Sequence, residues 1–181
     1  MSFQFAGWAQ SATALWTREA FYIANELGDA APPNEINILV SLLNSADDYE
    51  QALPLLQRVV TRPGVDTTDK IVAQKNLGRL ALRLAKPSEA TVFFEAAESS
   101  IAAESKYTRE FKTFQLLGVE YLWAADLIAF DCKEAKKHIA IAMTYLPTSE
   151  AYLKLQRMPE TISSMYRYIN QTCADEDPIH R

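Results

Sequence analysis

Few side chains in this sequence have the types and spacing that catalysis or metal binding requires. His138 follows two lysines, which is typical of a solvated surface histidine, and His180 lies far away near the end of the chain. Cys132 and Cys173 form no Cys-x-x-Cys pair, so we interpret both as ordinary packed thiols. The sequence contains no phosphate-binding loop, dinucleotide fingerprint, nucleophile elbow or zinc motif. It therefore predicts no catalytic residue, no metal site and no cofactor, and a protein that is not an enzyme.

A stripe of cations offers chemistry of another kind. Lys75, Arg79 and Arg83 recur at every fourth position, so a helix would place them along one line of its surface. The chain has a net charge of −5. Against that background the stripe can bind the carboxylates of a partner, or it can simply solvate an exposed helix face. The negative net charge argues against a nucleic-acid partner, because phosphate binding needs an excess of Lys and Arg.

The elements that position these residues are predicted to be helices. The 181 residues fit one domain, and only 5 are Gly. Apolar residues such as Ile36, Leu39, Val40 and Leu43 recur every three or four positions rather than every two. The sequence therefore predicts an all-α protein without strands. Helices are predicted over residues 33–46, 48–62, 67–85, 88–103, 106–130, 132–146, 148–157 and 159–173, with a break at Pro147 between the sixth and seventh.

Three of the predicted helices share one pattern of small and bulky residues. Each carries an Ala, a bulky apolar residue four positions later, and a small or branched residue three positions after that. A Leu-Gly pair precedes the second and third copies, at Leu77-Gly78 and Leu117-Gly118. The three copies are Ala52, Leu56 and Val59; Ala90, Phe94 and Ala97; and Ala135, Ile139 and Ala142.

This pattern resembles the tetratricopeptide repeat, which carries a Leu-Gly pair in its first helix and Ala-x3-Phe-x2-Ala in its second. The spacing from Gly78 to Ala90 is that of the family, whereas the spacing from Gly118 to Ala135 is longer. The resemblance implies an α-solenoid of about three antiparallel helix pairs over residues 33–147. An N-terminal helical segment (1–32) would precede it, and capping helices (148–174) and a loose tail (175–181) would follow. An ordinary helix bundle with accidental similarity is the alternative.

The resemblance also implies where a partner would bind. The first helices of the repeats line a concave groove that holds an extended segment of another protein. In this interpretation the cations bind carboxylates, the amides bind the peptide backbone, and Trp123 is an apolar anchor. The peptide-binding residues so implied are Asn37, Ser41, Asn44, Lys75, Asn76, Arg79, Arg83, Lys112, Gln115 and Trp123.

Two subclasses of the family imply different partners. The carboxylate clamp for heat-shock chaperones is not expected, since only Asn76 and Lys112 match its five positions, and Asn37, Ser41 and Leu116 replace the others. The translocator chaperones of type III secretion resemble the chain in size, charge and repeat number. We therefore expect an adaptor or chaperone-like protein that binds a protein partner. The alternative is a structural subunit of a larger assembly, in which the apolar C-terminal helices form a homodimer contact.

The expected location is the cytoplasm. The first residues lack the basic and apolar regions of a signal peptide. No run of about 18 apolar residues is present to insert into a membrane. Two cysteines in an acidic chain, read as free thiols, favour a reducing compartment.

Overall fold

The computed structural model describes residues 22, 24–45, 49–153 and 158–174. Within these residues the regular elements are helices and there is no strand, as the sequence predicts. Residues 22 and 24–27 are helical, and a short 3-10 turn at Gly28–Ala30 comes after them. Seven α-helices follow: α1 (Pro33–Ser45), α2 (Tyr49–Thr61), α3 (Thr67–Arg83), α4 (Pro87–Ala103), α5 (Arg109–Leu127), α6 (Cys132–Leu153) and α7 (Met158–Thr172).

Short polar side chains cap the amino ends of three helices. Asp66 accepts a hydrogen bond from the backbone N–H of Thr68 at 2.8 Å before α3. Thr108 does the same for Phe111 at 3.2 Å before α5, and Asp131 caps α6 at 3.0 Å. Each cap satisfies a backbone donor that the first turn of a helix leaves without a partner.

The turn between α3 and α4 is closed by Ala85 in the left-handed conformation, with φ of 57°. The N–H of Ala85 donates to Leu82 O at 2.9 Å, and the N–H of Lys86 donates to Ala81 O at 2.8 Å. This is the Schellman arrangement that ends many helices. It lets α4 begin at once with Pro87, whose missing N–H is harmless in the first turn.

Neighbouring helices pack against one another along the whole described chain. In addition, α1 contacts α3, α3 contacts α5, and α5 contacts α7. Helix α3 therefore lies between two apolar clusters, one formed with α1 and α2 and one with α4 to α7. All nine residues of the small-and-bulky pattern are buried in these clusters, so the pattern marks the core faces of α2, α4 and α6.

Helix α6 corrects one predicted boundary. The sequence predicts a break at Pro147, but α6 continues through this residue to Leu153. Pro147 is exposed. At an exposed position the proline ring lies on the outer side of the helix, away from the core, where it can be accommodated. The predicted separate helix over 148–157 is therefore the last part of α6 as far as residue 153, and 154–157 lie outside the described residues.

Cys132 and Cys173 are joined in a disulfide bond, which contradicts their interpretation as free thiols. The bond connects the first residue of α6 to the residue after α7, across a sequence separation of 41. The two thiols come together because α6 and α7 run antiparallel, which sequence spacing does not reveal. Disulfides are rare in reducing compartments, so the cysteine argument for a cytoplasmic location no longer holds.

The N-terminal part of the described chain is held by α2. Arg58 Nη1 donates to Ala24 O at 3.3 Å, and Arg62 Nη1 donates to Ala31 O at 2.8 Å. Ala24 and Ala31 are buried against α1 and α2. Most of the predicted N-terminal segment and the tail at 175–181 lie outside the described residues.

Candidate functional site

The cationic stripe of α3 lies along the contact with α5. Arg79 Nε donates to Asp126 Oδ2 at 2.8 Å, and Arg83 Nη2 donates to Asp126 Oδ1 at 3.1 Å. One turn closer to the start of α3, Lys75 Nζ donates to Gln115 Oε1 at 3.2 Å. The predicted stripe therefore exists, and part of its hydrogen-bonding capacity is used within the protein.

Arg79 and Arg83 carry two positive charges, whereas Asp126 between them carries one negative charge. Asp126 is only 5 % exposed and supplies one carboxylate, whereas two guanidinium groups reach it. Arg79 is about one-third exposed and Arg83 is half exposed, with 53 % of its side chain accessible. A positive excess thus remains on the accessible side of this cluster. We call Arg79, Arg83 and Asp126 the arginine cluster.

Lys75 differs from the two arginines because it is more deeply enclosed. Burial lowers the pKa of its ammonium group, since the charged form loses hydration there. Its hydrogen-bond partner, Gln115, is a neutral amide, so this bond does not offset the loss with an opposite charge. Lys75 therefore contributes more to the contact between α3 and α5 than to an open surface.

The remaining predicted groove residues are distributed unevenly. Asn37 is buried in α1, and its Nδ2 donates to Asp69 O at 3.3 Å, while its Oδ1 has no hydrogen-bond partner within the described chain. Asn76 is half-buried. Lys112 is bound to Ala102 O at 2.6 Å, at an exposed position near the start of α5. The side chains of Ser41 and Asn44 lie outside the described residues.

Trp123 is part of the core. Only 6 % of it is exposed, and its ring stacks on Phe94 with centroids 4.9 Å apart and on His138 at 3.8 Å. With these two rings stacked on it, the indole offers little surface to a ligand. The expectation that Trp123 is an accessible apolar anchor therefore does not agree with its burial.

His138 is buried, with 7 % of its side chain exposed, so its interpretation as a surface histidine is wrong. Its Nδ1 lies 2.6 Å from Glu120 Oε2, and its Nε2 lies 3.8 Å from Glu134 Oε2. Since a carboxylate only accepts, the hydrogen of the shorter contact belongs to Nδ1. The signal that could have revealed this pair is Glu120 itself, a carboxylate spaced with Leu117, Ala124 and Leu127 on the apolar face of α5.

A second carboxyl group extends this buried pair toward the surface. Burial, a hydrogen bond with Glu120 and the charges of Glu120 and Glu95 raise the pKa of Glu98 to about 7. The same region raises the pKa of the Tyr145 hydroxyl, through burial and the charges of Glu120 and Glu98. Glu98, Glu120 and His138 thus form a connected set of titratable groups between α4, α5 and α6. We call it the buried acidic chain.

His138 also borders a cavity of about 260 Å³ between α4, the end of α5 and the start of α6. We call it the His138 cavity. One part of the lining is apolar or aromatic, and the other is polar. The first consists of Pro87, Trp123, Leu127 and Phe130, and the second of Ser88, Thr91, Asp131, Glu134 and His138. The cavity thus combines an apolar wall with acidic groups, which is a common composition for a recognition pocket.

In the described part of the chain, no group of three or more His, Cys, Asp or Glu side chains could hold a metal ion. Nor is any of its helices both long and apolar enough to cross a membrane. Comparison of the chain with protein-family models, with curated proteins and with solved structures found no match.

Proposed function

We propose that the protein is a helical-repeat adaptor of the tetratricopeptide type that holds an extended, acidic segment of a partner protein. The helix contacts support this arrangement: α1, α3, α5 and α7 contact one another in series, as the first helices of stacked pairs do. The small residues at Ala52, Ala90 and Ala135 support it as well, because all three are fully buried between helices.

The observation that carries the proposal is the arginine cluster. Two partly exposed arginine side chains share one buried carboxylate, so they retain donors and positive charge that Asp126 does not use. Arg binds carboxylates in a planar, two-pronged geometry, which makes a carboxylate of the partner the matching ligand. The cluster lies on α3 and α5, the helices that would line the concave face of such a solenoid.

A chaperone-like role follows if the partner segment is held before it assembles elsewhere. The disulfide between Cys132 and Cys173 favours an oxidising compartment for this activity rather than the cytoplasm. The chain resembles the type III translocator chaperones only in size, charge and expected number of repeats.

Selection from a random-peptide display library tests the proposed specificity. The wild-type protein should enrich peptides rich in Asp and Glu. Arg83→Gln should lose that enrichment, because it removes the more exposed guanidinium group while Arg79 continues to pair with Asp126. Lys86→Gln is the matched control, since Lys86 is an exposed cation outside the cluster. Equal acidic enrichment by Arg83→Gln, or none by the wild type, would contradict the proposal.

The alternative is a structural subunit, and exposed aromatic side chains on α7 favour it. Tyr166 and Tyr168 are both exposed, and rings of this kind are frequent in protein contacts. This alternative predicts concentration-dependent self-association in analytical ultracentrifugation that Tyr168→Ser abolishes. It also predicts that Arg83→Gln has no effect on assembly.

A further inference from the structure

The polar lining of the His138 cavity includes two carboxylates, Asp131 and Glu134, beside the hydroxyls of Ser88 and Thr91. Asp131 Oδ1 accepts from the N–H of Glu134 at 3.0 Å, which orients its carboxylate at the start of α6. Glu134 Oε2 accepts from Lys137 Nζ at 2.7 Å, but Lys137 is 58 % exposed, so this ion pair is a weak surface pair. Two carboxylates therefore border the same small cavity.

His138 lies beside these carboxylates at the inner end of the cavity. Its Nδ1 is bound to Glu120 Oε2 at 2.6 Å, so only Nε2 is left for other contacts. Nε2 lies 3.8 Å from Glu134 Oε2, which is beyond hydrogen-bond distance. A ligand that satisfies these groups must have several donors and a positive charge.

The apolar side of the cavity indicates that the ligand also has an apolar part. Leu127 is buried, whereas Phe130 is exposed at the edge of the cavity. A volume of about 260 Å³ is slightly below the range of roughly 300–1,000 Å³ for sites that enclose drug-sized ligands. It suits one long side chain with an apolar stem and a charged end.

We propose that the His138 cavity binds the guanidinium group of an arginine side chain carried by a partner polypeptide. Arginine has five N–H donors in a fixed plane, more than the three of lysine, and its stem would pack on Phe130 and Pro87. The cavity is formed by α4, α5 and α6, and neither Arg79 nor Arg83 borders it. This site is therefore separate from the arginine cluster and does not depend on the acidic partner segment proposed above.

Calorimetric titration with a blocked Gly-Arg-Gly tripeptide tests the site, with the citrulline tripeptide as its neutral analogue. The arginine peptide should bind at least about tenfold more tightly, because only its hydrogen bonds to the carboxylates are charge-assisted. Ethylguanidinium, the free form of the same chemistry, should bind more weakly than the peptide. Equal affinities for arginine and citrulline would overturn the site, and equal affinities for ethylguanidinium and the peptide would overturn a polypeptide source.

Variants locate the binding. The double change Asp131→Asn and Glu134→Gln should weaken the arginine peptide by more than about tenfold. Asn is an equally good helix cap, so α6 should remain intact, which circular dichroism can verify. Glu89→Gln, an exposed acidic residue outside the cavity, should leave the affinity unchanged, as should Arg83→Gln. Unchanged binding by the double variant, or equal loss in Glu89→Gln, would exclude the cavity as the site.

Discussion

Gly78 in α3 lies directly against the ring of Phe94 in α4. A methyl group at Gly78 would come within 2.7 Å of both Cδ2 and Cε2 of that ring, closer than side-chain carbons can approach. Phe94 is fully buried and stacks on Trp123, so the ring has little room to move away. Gly118, the glycine of the second Leu-Gly pair, has no atom within 4 Å of the same position.

This difference between the two glycines predicts opposite effects of the same substitution. Gly78→Ala should lower the free energy of unfolding by about 1–3 kcal/mol, as overpacking does. Gly118→Ala should raise it by about 0.5–1 kcal/mol, because Ala is the better helix former and meets no obstacle. Thermal unfolding of the two variants checks this, since 1 kcal/mol corresponds to about 2–4 °C in a domain of this size. If Gly78→Ala raised the melting temperature as Gly118→Ala is expected to, the close contact between Gly78 and Phe94 would be contradicted.

The buried acidic chain predicts a pH dependence of stability. The pKa of Glu98 rises from 4.5 to about 7 on folding, so the native state binds more protons than the unfolded state between these values. Stability from this group is therefore full below pH 4.5 and lost as the pH rises through about 7. Glu98→Gln copies the protonated carboxyl group and should melt at a higher temperature than the wild type at pH 8, with little difference at pH 4.5.

Other ionisable groups near Glu98 require a control for this experiment. Glu120, Glu95, His138 and Tyr145 belong to the same region and are present in both the wild type and Glu98→Gln. Glu89→Gln, on the same helix but exposed and paired with Lys86, should reproduce the wild-type pH profile. A Glu98→Gln variant whose melting temperature falls between pH 5 and pH 8 as steeply as that of the wild type would contradict a raised pKa.

The disulfide bond predicts a large effect of its removal. Changing both Cys132 and Cys173 to Ala should lower stability by about 2–4 kcal/mol, a typical value for a bond that closes a loop of this length. The wild type treated with a reductant should melt at a lower temperature too, whereas the double variant should not respond. Titration of the air-oxidised, denatured protein with a thiol reagent is the direct measurement, and two free thiols would contradict the bond.

The helices were predictable from the sequence, whereas one of their boundaries was not. The periodicity of apolar residues gave the helices, because burial requires one face per helix, and Ala90, Phe94 and Ala97 are buried where the pattern puts them. Pro147 misled the prediction of a boundary, since proline disfavours the helix interior but can be accommodated at an exposed position.

The candidate sites were less predictable because their partners are distant in sequence. The spacing of Arg79 and Arg83 indicates a cationic stripe, but nothing in it shows that Asp126 lies beside them. The two lysines that precede His138 suggested that this histidine is exposed. In the structure, the packing of α6 on α5 buries it and places Glu120 beside its ring. Contacts between helices, rather than residues within one helix, create both the arginine cluster and the His138 cavity.

The disulfide between Cys132 and Cys173 also alters the topology of the chain. Together with the backbone from residue 132 to residue 173, it makes a closed covalent ring that contains α6 and α7. A single proteolytic cut within that ring breaks one peptide bond, but the disulfide still joins the two fragments. The cleaved protein therefore keeps its two parts at high effective concentration, so α7 can redock on α6 and the cut need not end its function.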